Sequence, residues 1–315
     1  MRSSKIFIGI FLIICLVPSL FMFFVHTKSA ANEILAPAPK FGESVLSGTA
    51  DFIGDRFAFR QEFASAWAWL NAKLFNTSVE EKVVLGNEGN LYYASDFVEK
   101  LSEDELEAIA ENLAALQTEL EAEGREFIFT IAPDKSSLHG EFLPQGWKSP
   151  RNGRALEPFL QKHGVNYVSL FDEAIPYFET DSHWTGFGAA MACDKLAGTD
   201  YAKREFSSAP GHKGDLYEML YPAGKRTEPD TRLELEYESK GSTNNGNAIT
   251  IETVSSGDGK LFCWRDSFGV SLFPYLADAY ESATFSRETD FSADKTGDAD
   301  TVILEIVERN LGNLK

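Results

Sequence analysis

Two short stretches of this chain carry residue types that do nucleophilic chemistry together. "TDSHWTG", at 180–186, offers Asp181 and His183; "FCWRDSFG", at 262–269, offers Ser267. In an extended segment, residues two apart project to the same side. The Asp181 carboxylate can then orient the His183 imidazole and leave its other ring nitrogen for a hydroxyl. With Ser267 as that hydroxyl, the inventory is a Ser-His-Asp site, in which imidazole takes the hydroxyl proton and carboxylate steadies the imidazolium. Each stretch also has a purely structural reading. Thr185 suits the N-cap of a helix over 186–197, and Asp266 and Ser267 are themselves favoured helix starters.

The elements around these stretches are those of an α/β protein. "SEDELEAIAENLAALQTELEAEG" (102–124) predicts a helix: Ser102 and Glu105 form a capping box, Leu106, Ile109, Leu113, Leu116 and Leu120 share a face, and Gly124 ends it. "EFIFTIAP" then reads as a buried strand closed by proline. A helix near 153–163, a strand in "VNYVSLF", strands in "KLFCWRDS", "ATFS" and "DTVILEIV", and a helix containing "FPYLADAY" continue the alternation. That rhythm predicts a mostly parallel sheet with helices on both faces. In such sheets ligands bind beyond the carboxyl ends of the strands. Ser267 falls there, at a helix start whose backbone N–H groups favour an oxyanion; the Ser267 N–H is the first donor expected. Residues 201–259 break the rhythm with Gly, Ser and Asn, and read as an irregular excursion from the sheet. A second stretch, "DFIGDRFAFRQEFASAWAWLNAKLF", sets Phe63, Trp67, Leu70 and Leu74 on one helical face, expected to point into a core.

The chain is 315 residues long with a net charge of −19, and its first acidic residue is Glu33. Before it, no charge falls between Ile6 and Val25, a run long enough for a membrane-spanning helix. Arg2 and Lys5 in front of the run place the amino terminus inside and the remainder outside the cytoplasmic membrane. A cleaved signal peptide is the competing reading, with small residues at "SAAN", but the apolar run exceeds the usual signal core. The expected organisation is therefore a stub and anchor at 1–28, a tether at 29–50 and one catalytic domain at 51–315, membrane-anchored with an extracytoplasmic domain. So acidic a chain argues against nucleic acid as a partner. Of the three cysteines, Cys15 lies in the apolar run, while Cys193 and Cys263 are either one disulfide or two buried thiols. No cofactor is expected. Metal is not expected either, because His26, His139, His163 and His212 show no zinc-ligand spacing beside Asp181 and His183.

"DSHW" followed by a helix and a downstream "DSF" resemble the SGNH hydrolase-like proteins of the alginate O-acetyltransferase type, sometimes called DHHW proteins. "DRFAFR", "VVLGNEGNLYY", "APDKSSLHGEFLP", "GDLYEML" and "ILEIVERNL" are similar to that family in the same order. The resemblance implies an SGNH-hydrolase-like three-layer fold and extracytoplasmic acetyl transfer to polysaccharide hydroxyls. It also implies Ser267 as nucleophile, His183 as general base, Asp181 as its orienting partner, and a membrane-bound O-acyltransferase as acetyl donor. Arg265 stands where the "GDS" form of the motif has glycine. Arg265, Lys135 of "APDKSS" and Trp184 are substrate-binding candidates; the ordinary reading of Lys135 is a solvated surface lysine, and that of Trp184 is packing beside the site. With the same triad, the competing functions are a deacetylating esterase, in which water replaces the sugar, and a non-catalytic glycan-binding scaffold, for which Trp147, Trp184 and Trp264 would supply stacking faces.

Overall fold

The computed structural model describes residues 5–13, 37, 48–49, 52, 54, 57–240 and 246–315. The chain divides into two compact units. One comprises Val84–Gly214 with Thr227–Lys315, and the other Met1–Val83 with Asp215–Arg226.

The larger unit is built on a seven-stranded mixed sheet. Its strands are β1 (Glu126–Ala132), β2 (Tyr167–Val168), β5 (Tyr237–Ser239), β6 (Thr250–Ser255), β7 (Lys260–Trp264), β8 (Ser282–Ser286) and β9 (Thr301–Val307), in the order β2-β1-β9-β7-β8-β6-β5. The first five in that order pair in parallel, and β6 runs antiparallel to both β8 and β5. The expected mostly parallel sheet is thus present with one reversed strand. Successive side chains of a strand face opposite sides, and β9 divides its residues accordingly. Ile303 and Val307 join one apolar cluster, whereas Val302, Leu304 and Ile306 join the other.

Two helices cover each face. α1 (Glu103–Ala122) and α2 (Asn152–His163) pack on one side, α1 burying Leu106, Ile109, Leu113, Leu116 and Leu120. Ser102 and Glu105 form the predicted reciprocal cap. α3 (Gly186–Ala197) and α4 (Gly269–Ala279) pack on the other, α3 capped by the Thr185 hydroxyl on Gly188 N at 3.1 Å.

The span 201–259 is less irregular than its composition suggests. It holds an antiparallel ribbon, β3 (Ser207–His212) with β4 (Glu228–Arg232), outside the main sheet, but then returns as β5 and β6 within it. Polar side chains mask β5, the edge strand, and β6, the next one in, because one face there meets water.

In the smaller unit the helix Arg60–Phe75 buries Ala68, not the aromatic face. Phe63, Trp67, Leu70 and Leu74 are exposed, and the expected core-facing orientation is not what this helix adopts. Its apolar residues run round much of the circumference, with Trp69 and Phe75 also exposed, so no single stripe sets a direction. Ser65 accepts a hydrogen bond from Ala223 N at 2.9 Å within this unit.

No helix among the described residues is long and apolar enough to cross a membrane. The expected span covers residues 6–25, of which 14–25 lie outside the described residues. Cys193 and Cys263 are both buried free thiols, and burial pushes the Cys193 thiol up to about 12.

Candidate active site

The turn after β7 and the loop before α3 bring the two sequence stretches together. Ser267 Oγ lies 3.0 Å from His183 Nε2, and His183 Nδ1 lies 2.7 Å from Asp181 Oδ1. With Nδ1–H donating to the carboxylate, Nε2 holds the lone pair that accepts the serine proton. The Asp181 side chain is 5% exposed and that of His183 26%, so the carboxylate is sheltered while the imidazole edge meets solvent.

The 177–185 loop is held at both ends. Tyr177 and Trp184 form an isolated antiparallel bridge, with Phe178 N donating to His183 O at 3.3 Å and Thr185 N to Pro176 O at 2.9 Å. At the tip, Glu228 accepts Glu179 N at 2.6 Å and Thr180 N at 2.8 Å, and also the Thr180 hydroxyl. Asp181 Oδ1 additionally accepts the His183 backbone N–H at 2.9 Å, which turns the carboxylate back onto its own loop. A Cβ on Gly214 would come 2.2 Å from Thr180 O, so only glycine permits this approach.

The ribbon supplies a group that sequence reasoning did not assign. His212, the cross-strand partner of Glu228, sets its Nε2 2.7 Å from Asp181 Oδ2 and stacks on Phe178 at 4.0 Å between centroids. Asp181 therefore bridges two imidazoles, one through each oxygen. The hydrogen bond to Asp181 raises the His212 pKa above its ordinary value, favouring the protonated ring. Nothing in the local sequence marks His212, which sits 31 residues beyond Asp181 in a polar run.

On the serine side, Asp266 acts as a turn clamp. Its Oδ1 accepts Phe268 N at 2.9 Å and its Oδ2 accepts Val307 N at 2.7 Å, tying the β7 turn to the end of β9. Phe268 is fully buried and sits 4.8 Å from the His183 ring and 5.0 Å from Trp184. Ser267 lies just ahead of α4, where the positive end of the helix dipole favours developing negative charge.

Three substrate-binding candidates take structural places instead. Trp184 is 1% exposed and donates its indole N–H to Ser271 Oγ at 2.8 Å, joining the histidine loop to α4. Arg265 is also buried. Its guanidinium donates to Gly246 O at 2.9 Å and Ala248 O at 3.2 Å and lies over the Phe273 ring. The bulk that replaces glycine at this position is accommodated one turn on, since a Cβ on Gly269 would meet the Arg265 side chain at 2.5 Å. Lys135 is neither a surface lysine nor open to the site: it is 1% exposed and donates to Leu91 O at 2.9 Å and Glu179 O at 2.6 Å, under the triad loop. Of the tryptophans considered for stacking, Trp264 is buried and Trp147 is exposed.

Residues 83–221 match the family model of an SGNH hydrolase-like domain, acetyltransferase AlgX; this range contains Asp181, His183 and His212 but ends before Ser267. The chain is similar to a probable alginate O-acetylase AlgJ of Pseudomonas fluorescens, 26% identical over 242 residues that make up 68% of this chain and 60% of that protein. The structure of Bacillus cereus PatB1 with a sulfonyl adduct has a TM-score of 0.56 at 14% identity, covering 73% of this chain and 95% of that one. A DHHW family protein from Eubacterium siraeum gives 0.54 at 14% identity, covering 73% and 91%. At these identities the solved structures share the fold. The resemblance carried by "DSHW" and "DSF" is to this SGNH hydrolase-like, AlgJ- and AlgX-type group.

Proposed function

We propose that this SGNH hydrolase-like chain is an O-acetyltransferase that moves an acetyl group through Ser267 onto hydroxyls of a polysaccharide. The observation carrying the reading is the continuous hydrogen-bonded chain Ser267–His183–Asp181 past the carboxyl end of the parallel strand β7. The similarity to an alginate O-acetylase supports the acetyl group and the glycan acceptor as substrate classes.

In the first half-reaction His183 Nε2 takes the Ser267 proton as Oγ bonds to the acetyl carbonyl carbon. The imidazolium so formed is stabilised by Asp181. The carbonyl oxygen gains charge beside the Ser267 N–H, and collapse breaks the bond to the leaving group, which His183 protonates. In the second half-reaction His183 removes a proton from a sugar hydroxyl, whose oxygen attacks the acetyl-serine. Breaking the ester bond returns the proton to Ser267 Oγ and leaves the acetyl on the sugar. Water in place of the sugar would make the same residues an esterase, so the acceptor decides the outcome.

The reading extends to a catalytic domain outside the cytoplasmic membrane, tethered through the apolar run at 6–25, and to a membrane-bound O-acyltransferase that delivers acetyl. The test is labelling of the purified protein with a sulfonyl fluoride and with p-nitrophenyl acetate, read by intact mass. One adduct is expected on the wild-type chain and none on Ser267→Ala. Undiminished labelling of that variant overturns the assignment. Acetylated oligosaccharide, detected by mass when a glycan acceptor is added, is the product expected of a transferase; free acetate alone would make it an esterase.

A further inference from the structure

A cleft of about 520 Å³ opens beside the end of β1, lined by Ser136, Ser137, Glu141, Trp147, Lys148 and Arg151 among others. Its size falls within the range of small-molecule sites. Two features separate it from an ordinary surface hollow. Trp147 is 45% exposed, yet its indole is fixed in a T-shaped contact with Phe97 at 4.7 Å. Lys148 and Arg151 are both exposed, and neither forms an ion pair among the described residues, although the chain carries a net charge of −19.

The walls are rigid where rigidity helps binding. Ser137 Oγ lies 2.7 Å from Ser149 Oγ, which accepts Arg151 N at 3.2 Å. Arg151 adopts a left-handed φ of 54°, a strained conformation for a side chain of its size. Trp147, Lys148 and Ser149 of the preceding loop edge the cleft with it.

Position relates the cleft to the triad. β1 is two strands from β7 across β9, so at ~4.8 Å per strand the two ends are roughly 10 Å apart on the same edge of the sheet. A row of rings joins them: His139, between two cleft residues, contacts Tyr177 at 5.4 Å, Tyr177 contacts Phe268 at 6.1 Å, and Phe268 contacts His183.

From this geometry we infer that the cleft is a carbohydrate subsite that holds a pyranose ring of the acceptor chain away from the residue being acetylated. Trp147 stacks on the apolar face of the ring, while Lys148 and Arg151 meet its oxygens. An indole beside several donors suits a sugar, which presents an apolar ring face and a rim of hydroxyls. The inference rests on the proposed glycan acceptor and names where a second part of that acceptor is gripped.

Binding of two tetrasaccharides, one of β-1,4-linked hexoses and one of hexuronic acids, to the full chain is measured by calorimetry. The wild-type chain is expected to bind at least one of them. Trp147→Ala should weaken that binding about tenfold and Lys148→Ala several-fold, both side chains being exposed and so replaceable without disturbing the core. In transfer assays from p-nitrophenyl acetate, the ratio of kcat/KM for the tetrasaccharide to that for a monosaccharide glycoside should fall about tenfold in Trp147→Ala. Binding of neither tetrasaccharide, or equal binding by wild type and Trp147→Ala, overturns the subsite. Failure of the Ser267 labelling test would instead overturn the acyl-transfer reading and leave the binding result standing.

Discussion

Two groups of carboxylates lie past the strand ends of this sheet, and they are handled in opposite ways. At the first, Asp181 has an imidazole on each oxygen, and both rings reach solvent. At the second, Asp96 and Asp134 are buried around Arg309, which donates to them at 3.2 and 2.8 Å, and each keeps one oxygen without a partner. Burial raises the Asp96 carboxyl to about 6, with Arg309 opposing the shift, and raises Asp134 well above the usual range, with repulsion from Asp96 adding to the effect. Both shifts favour the protonated form, as for like charges that cannot both ionise, and a proton shared between the two carboxyls is the expected state. The difference teaches that residue type does not distinguish the carboxylate of the proposed triad from a structural one here. What distinguishes them is the partner: an imidazole that can pass a proton onward, or a guanidinium that cannot lose one.

The comparison breaks most completely at Asp181. Asp181→Asn keeps the shape but lets the amide stabilise the wrong His183 tautomer, and a loss of roughly 10⁴-fold in kcat is expected, as for other triads. Steady-state hydrolysis of p-nitrophenyl acetate measures it. Arg309→Met should act on folding rather than chemistry. It leaves two buried carboxyls without their cation, at a cost of about 3–5 kcal/mol in chemical denaturation. Its guanidinium also lies 5.4 Å from the Phe268 ring, so any loss of activity should track the loss of folded protein.

His212→Gln sharpens the contrast on the catalytic side. It replaces one charge-assisted bond to Asp181 by a neutral one, and about a tenfold decrease in kcat is expected. The raised His212 pKa also ties folding to pH. The contribution of His212 to stability is fully present below the unfolded value of 6.5 and is lost as pH rises through the higher folded value. The variant should flatten the fall in stability above about pH 6.5. Asp96→Asn is the smallest change, since the amide resembles the protonated acid. A carboxyl raised from 3.8 to about 6 on folding contributes stability that is complete at low pH and lost as pH rises through that interval. Denaturation midpoints of Asp96→Asn should therefore change less between pH 4 and 6 than those of wild type, and an unaltered slope would mean that Asp96 does not carry the shared proton.

Much of the scaffold was legible because it depends on local pattern. The capping box at Ser102, the apolar stripe of α1, the buried strands β1 and β9 and the Thr185 cap all follow from neighbours a few residues apart. The pairing of Asp181 with His183, two positions apart, is also local, although the structure forms it across bends, with Asp181 Oδ1 also accepting His183 N, and not in the extended segment expected. Signals failed where neighbours in space are distant in sequence. Lys135 reads as a surface lysine because no local residue announces the three backbone carbonyls that surround its ammonium. Arg265 reads as a substrate-binding candidate, and Trp184 as that or as packing beside the site; their partners Ser271, Gly246 and Ala248 come from other elements.

By itself, then, the sequence determined the periodicities that make an α/β sheet and which carboxylate, imidazole and hydroxyl were worth examining together. Only the tertiary structure decided that Ser267 meets His183 across 84 residues, and that a second imidazole from the β3–β4 ribbon holds the far oxygen of Asp181. The physical reason is range. Backbone propensity and side-chain alternation act over a few residues, whereas the desolvation and hydrogen bonding that give each carboxylate its proton affinity are fixed only when distant strands close around it.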